Sequence, residues 1–304
     1  EIANQGDTVR IIKEPEITVN AYLRGTTVSA QDLVDTDFSL VIDKANYFAF
    51  KMDDIEEQQS HVDFMSMSSN RAAYRLADGM DTEVLRYLSG YTAASAVNTT
   101  VSGTVANAAA GTDELLAGNK LDITSFGNIT TTATAGDSIP VAPRFGGATA
   151  ASASTATPLQ IIARMGRLLD QQNVDSRGRW LVLDPVFIEM LKDEDSRVLN
   201  ADFGGSGLQN GLILNNLHGF RIYASNNLPS VGTGAGTSGA TAQSTNYGVI
   251  VGGHDSAVAT AEQINKVETY RDPDSFADIV RGMHLYGRKI LRPEALVNAR
   301  YNAA

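Results

Sequence analysis

The sequence predicts an α+β fold, and three observations carry that reading. Helical and strand-like segments are interleaved without the regular strand–helix–strand rhythm of a nucleotide-binding sheet. The stretch "RWLVLDPVFIEML" (179–191) reads as a strand, then a proline, then a helix. The last forty residues are rich in strand formers, including "VETYRDPDSFADIVRGMHLYGRKILRPEALV" (267–297).

The N-terminal segment, residues 1–53, reads as an extended arm. "TVRIIKEPEITVN" mixes β-branched residues with Pro15, which a central strand would not tolerate. "FSLVIDKANYFAFKM" (38–52) is rich in strand formers and partly alternates apolar with polar residues. Two such runs around the polar "LRGTTVSAQDLVDTD" suggest a long hairpin. Ile11, Ile12, Leu40, Ile42, Tyr47, Phe48 and Phe50 give it more apolar surface than an isolated two-stranded hairpin can hide.

At Asp53 the texture changes to helix. Glu56 follows three residues after Asp53, a capping-box spacing, and Asp54, Glu56 and Glu57 place negative charge at the positive end of a helix. Val62, Met65, Ala72, Leu76, Met80, Val84 and Leu88 recur at helical spacing, while Arg71, Arg75 and Arg86 need not face the core. Gly90 is the expected stop. A helix over 54–89 would be roughly 50 Å long at 1.5 Å per residue.

Residues 92–157 are rich in Ala, Thr, Ser and Gly and read as small strands and loops. Regular structure resumes where Thr157 caps a helix with Pro158 at its first position and Leu159, Ile162, Met165, Leu168 and Leu169 on one face. Strand "RWLVLD" follows, and Asp184 caps a short helix that Pro185 starts. "LQNGLILNNLHGFRIYASNNLP" predicts two strands, and "SVGTGAGTSGATAQSTN" an uncharged surface loop. "YGVIVGG" reads as a buried strand containing no charge, and "DSAVATAEQI" as a short helix capped by Asp255 or Ser256. Asp272, Pro273, Asp274 and Ser275 form a turn between the closing strands. Trp180, the only tryptophan, is expected in the core of its strand.

Composition narrows the chemistry. A chain of 304 residues accommodates one large or two medium domains, and its net charge of -11 gives no excess of Lys and Arg for neutralising phosphates. Cysteine is absent, which excludes disulfides and thiolate metal sites, and four histidines leave little for a zinc enzyme. No apolar run approaches the roughly 20 residues that span a bilayer, so no membrane association is expected. No signal peptide is visible; a soluble, acidic protein of cytoplasmic origin is the expectation.

Candidate sites in the sequence are weak. "ADFGGSGLQNG" and "VIVGGHDS" lack the Lys-Ser/Thr of a P-loop and the full dinucleotide fingerprint. His254, Asp255 and Ser256 are the residue types of a hydrolase triad, but adjacent residues on one turn seldom reach its geometry. His61 and Asp63 point to different helix faces, and Asp193, Glu194 and Asp195 lack calcium-loop spacing. "RGR" at 177–179 and "GRKILR" at 287–292 are too small and too separated for a nucleic-acid stripe. No catalytic residue, cofactor or metal ligand is expected.

Four phrases in one order carry a resemblance: "VIDKANYFAFKMDDIEEQQ" leading into the long helix, "RWLVLDPVFIEMLKDE", "NGLILNNLHGFRIYASNNLP" and "VETYRDPDSFADIVRGMHLYGRKILRPEALV". Together they resemble the major capsid proteins of tailed double-stranded DNA bacteriophages, the HK97-fold family. The resemblance implies an N-terminal arm and extended loop over 1–53 and a peripheral domain over 54–157 built on a spine helix at 54–89. It further implies an axial domain over 158–264, with the strands of 265–304 returning to the peripheral domain. No motif licenses the Lys–Asn cross-link of the best-known member.

By implication the chain is a structural coat protein that assembles as pentamers and hexamers into an icosahedral head, formed in the host bacterial cytoplasm and retained in the virion. Its partners would be copies of itself, a scaffolding protein and a portal during assembly, and a decoration or cement protein. Packaged DNA would lie beside an acidic wall without specific binding. Ile11, Ile12, Leu40, Ile42, Tyr47, Phe48 and Phe50 are the expected inter-subunit contacts. An encapsulin-like compartment shell of the same fold is the alternative reading, and a hydrolase using the His254 region a remote one.

Overall fold

A computed structural model describes residues 8–12, 17–25, 27, 30–32, 37–55, 64–89, 115–122, 125–126, 139–141, 156–192, 216–228, 230–231 and 247–303. Two compact units divide the chain: Glu1–Leu76 with Ala259–Leu291, and Ala77–Val258 with Arg292–Ala304.

In the first unit β1 (Thr8–Ile12) pairs antiparallel with β2 (Asp37–Val41), Thr8 opposite Val41 and Ile12 opposite Asp37. The predicted pairing of the two strand-like runs is therefore present. A three-stranded sheet has the order β11 (Val258–Arg271), β12 (Ala277–Ile290), β3 (Lys44–Asp53). β3 runs antiparallel to β12 along its whole length, from Lys44 opposite Tyr286 to Asp53 opposite Ala277.

Two glycines make close approaches in this unit. A Cβ on Gly282 would lie 2.3 Å from the ring of Phe48 on the paired strand, so the ring takes the space a side chain would fill. A Cβ on Gly287 would lie 2.4 Å from the carbonyl oxygen of Val41 and 2.9 Å from Cα of Ile42. The end of β2 thus passes directly over the β12 backbone, and Leu40 and Ile42 are buried there.

The long helix is present as α1 (Phe64–Ser89). Asp54 and Ile55 are also helical, and the Asp53 carboxylate accepts from the Ile55 amide at 2.9 Å. Residues 56–63, with Glu56, Glu57, His61, Val62 and Asp63, lie outside the described residues. Met65, Ala72, Leu76, Met80 and Val84 are half-buried and Leu88 is buried, while Arg71 and Arg75 are exposed, as the spacing predicts.

The second unit is built on a mixed sheet in the order β4 (Lys120–Leu121), β13 (Leu296–Ala303), β10 (Tyr247–His254), β6 (Arg179–Leu183), β8 (Phe220–Ala224), β7 (Asn216–Leu217). β5 (Ile139–Val141) also pairs with β13, and β9 (Ser230–Val231) with β10. β10 is antiparallel to both β6 and β13, and β6 is parallel to β8. His218 and Gly219, both at positive φ, form the two-residue turn between β7 and β8.

Helix α2 (Pro158–Gln171) opens with a full capping box: Thr157 accepts from the Gln160 amide, and the Gln160 side chain accepts from the Thr157 amide. Its buried face is Ile161, Ile162, Met165 and Leu169, with Leu159 and Leu168 only half-buried. Asp184 caps α3 (Pro185–Lys192) by accepting from the Phe187 amide at 3.1 Å. Leu181, Leu183, Phe187, Ile250 and Leu296 complete the core.

Two expectations are corrected. The segment 255–264 is not a helix: a three-residue 3-10 turn, Asp255–Ala257, leads directly into β11. His254, not Asp255 or Ser256, is its cap, accepting from the Ser256 amide at 3.1 Å. Pairing with β12 outweighs the local helix preference of an Ala-rich stretch. Trp180 is half-buried instead of core, because alternation along β6 turns it away from Leu181, which faces Met165 of α2 across Gly252.

Candidate assembly surface

Alternation along β3 divides the residues expected to make contacts. Phe48 and Phe50 lie opposite Gly282 and Val280, half-buried, their rings stacked 6.1 Å apart. Tyr47 projects to the other face opposite Met283 and is 80% exposed. Leu40 and Ile42 are buried beside Gly287. Ile11 is half-buried on β1, and the side chain of Ile12 lies outside the described residues.

Around Tyr47 the first unit has an open cleft of about 540 Å³, lined chiefly by Tyr47, Tyr270, Met283, Lys266, Glu268 and Arg281. Glu268 receives both Arg281, at 2.9 Å, and Lys266. The Arg281 guanidinium lies over the Tyr270 ring, 5.0 Å from its centroid. These cations hold the Glu268 carboxyl below its ordinary value, the Lys266 hydrogen bond contributing most. The opposite face of the sheet holds His284, whose Nε2 lies 3.0 Å from Glu262 and whose ring stacks on Tyr286.

The β11–β12 turn is held tightly. Asp272 accepts from the Asp274 amide at 3.1 Å, from Ser275 Oγ at 2.6 Å and from Lys51 Nζ at 2.6 Å. Arg271 bridges Asp54 and Asp278. Hydrogen bonds from Lys51 and Arg271 respectively are the largest causes that hold the carboxyls of Asp272 and Asp54 below the usual range. Phe276, at the end of this turn, is 79% exposed. Sequence reading missed Phe276, Tyr270, Arg281 and Met283, although the alternation in "ADIVRGMHLYG" was a signal for the last two.

The residues of the remote hydrolase reading do not form a triad. Arg221 donates to both oxygens of Asp255 at 2.8 Å, so that carboxylate orients no histidine, and His254 Nδ1 lies 2.8 Å from Ser256 Oγ as a cap. Arg179 of the "RGR" group is buried, bonded to Asp170 and the Val174 carbonyl. Among the described residues no group of three or more His, Asp or Glu is placed to hold a metal, and no helix is long and apolar enough to cross a membrane. Asp193, Glu194 and Asp195 lie outside the described residues.

A buried carboxylate in the second unit has a structural task. Asp184 accepts from the Tyr301 hydroxyl as well as from the Phe187 amide, and Tyr301 packs edge-on to Phe187 at 5.1 Å. Burial pushes the Asp184 carboxyl up from its ordinary value and raises the Tyr301 hydroxyl too.

The described residues thus combine a well-packed sheet unit with a thin three-stranded sheet that leaves Tyr47, Tyr270 and Phe276 exposed. The model of the phage capsid protein family matches residues 105–299, well over half of the chain. The chain belongs to that family, and it is a structural, major capsid protein of a tailed phage.

The solved structures agree in fold, which is HK97-like. A chain from Mycobacterium phage Che8 is 26% identical with a TM-score of 0.68, over 97% of this chain and 85% of that one. The capsid of cyanophage P-SCSP1u, at 19% identity, gives a TM-score of 0.62 over 99% and 85%. The mature capsid of bacteriophage PhiM1, at 16% identity, gives 0.62 over 99% and 83%. No curated protein matches the sequence.

Proposed function

We propose that many copies of this chain close into the icosahedral head of the phage, as pentamers and hexamers around packaged double-stranded DNA. The observation that carries this is the first unit's sheet. β3 and β11 are long edge strands, and among the described residues no strand pairs with their outer sides. Such edges are templates for another chain, and a protein that must stay apart from its copies blunts them. In a shell they are bonding positions.

The residues 1–53 serve as the arm and extended loop that reach a neighbour, with Tyr47 as the exposed anchor and Ile11, Ile12, Phe48 and Phe50 as further contacts. α1 with residues 54–63 acts as the spine of a peripheral domain, and residues 158–264 as an axial domain. A scaffolding protein and a portal assist assembly in the host cytoplasm. The net charge of -11 keeps the wall from condensing DNA onto itself. The chain performs no catalysis.

Electron microscopy of the purified protein, expressed with and without its scaffold, tests this directly. Closed shells or capsomers are the expected result. A chain that stays strictly monomeric at every salt concentration, with scaffold present, overturns the reading.

A further inference from the structure

Phe276 is presented in an unusual way. Phe276 is 79% exposed, yet its backbone is fixed: its carbonyl accepts from the Asp54 amide at 3.1 Å, and the Asp272 amide donates to the Ala277 carbonyl at 2.9 Å. Lys51, Ser275 and the Asp274 amide all bond to Asp272 in the same turn. An aromatic on such a support loses little further freedom when it is buried by a partner, which is the condition for an anchor.

The cleft around Tyr47, Tyr270 and Met283 is a receptor of suitable size. About 540 Å³ lies within the usual range for a cavity that encloses a ligand, and it is more than one aromatic ring needs. Its walls offer two aromatic rings and a methionine, the groups that pack best against another ring.

The charges match as well. In the cleft Lys266 and Arg281 share the single carboxylate of Glu268, leaving one positive charge in excess. At the turn Asp272 is matched by Lys51, but the exposed Asp274 carboxylate has no ion-pair partner among the described residues. The turn is acidic where the cleft is basic.

We infer that the Phe276 turn of one copy of this chain inserts into the Tyr47–Tyr270–Met283 cleft of an adjacent copy, with Asp274 facing Lys266 and Arg281. Knob and cleft are different patches of the same unit, so the contact is heterologous: it propagates from copy to copy and closes into a ring where the rotation permits. The inference rests on the assembly reading above and names the contact that assembly uses.

The absence of cysteine from the chain gives a clean test. Phe276→Cys and Met283→Cys are made as separate single variants and co-assembled under mild oxidation. A covalent dimer is expected on a non-reducing gel from the mixed shells, with none from either variant alone and none from dispersed subunits. Mixed shells without the dimer overturn the inference while leaving assembly intact. Efficient dimers from Phe276→Cys alone also overturn it, because the turns would then meet one another.

Oxidative footprinting of wild-type protein covers the case in which a variant fails to assemble. Met283 should oxidise several-fold more slowly in shells than in free subunits, and an equal rate overturns the contact. Wild-type protein that forms no particles refutes the assembly reading first, and the inference falls with it.

Discussion

In the second unit Ile161, Met165, Leu181, Phe187, Ile250 and Tyr301 are each under 2% exposed, packed between the sheet and its helices. In the first unit Tyr47, Val267, Tyr270, Phe276 and Met283 are between 41% and 80% exposed on a sheet of three strands. The same contrast runs through the charges. Asp184 of the second unit is buried and raised, whereas Asp54, Glu268 and Asp272 of the first unit are held down by Arg271, Lys266 and Lys51. Among the described residues one unit has a closed core, and the other leaves apolar side chains exposed.

The largest effect should come from the completed core. Phe187→Ala removes a fully buried ring that packs on Tyr301, and chemical denaturation of the free subunit should show a loss of about 3–5 kcal/mol. A smaller loss, about 1–3 kcal/mol, is expected for Gly287→Ala, because the added methyl meets the backbone of Val41 and Ile42. An unchanged melting temperature would mean that β2 does not cross β12 there. Tyr47→Ser should change free-subunit stability by no more than about 0.5 kcal/mol, the range for an exposed site, and yet reduce the yield of shells. Equal loss in both assays would place Tyr47 in a core and erase the contrast.

The two charge environments predict opposite pH behaviour. Asp272 is lowered in the folded state, so its contribution is present above the ordinary value of 3.8 and is lost only as pH falls through its depressed folded value. Asp184 is raised, so its contribution is complete below 3.8 and declines as pH rises through its elevated folded value. Denaturation of the free subunit at several pH values should show this decline, and Asp184→Asn should flatten it. A decline that persists in the variant assigns the slope to another group.

Local signals made much of this legible. Thr157 with Pro158, Asp184 with Pro185, and the 272–275 turn each carry their own hydrogen bonds, and each stands where its residues predict. What depended on distant pairing was not legible. "SAVATAEQI" has helix-forming residues, and only the partner β12 makes it a strand. Leu40 and Ile42 are buried beside Gly287, over 240 residues away, a close approach that no local signal announces. Trp180 looked like core because a strand's two faces cannot be ranked without knowing which one a helix covers. The cleft was invisible for the same reason: Tyr47, Tyr270 and Met283 lie on three strands that only the sheet order brings together.

Completion of the first unit's sheet by other copies is tested most directly by amide hydrogen exchange, measured on free subunits and on purified shells. The outward amides of β3 and β11 should exchange quickly in subunits and slowly in shells, while the central strand β12 is protected in both. Equal exchange of β3 and β11 in the two states would show that their edges and the Tyr47 face take no part in assembly.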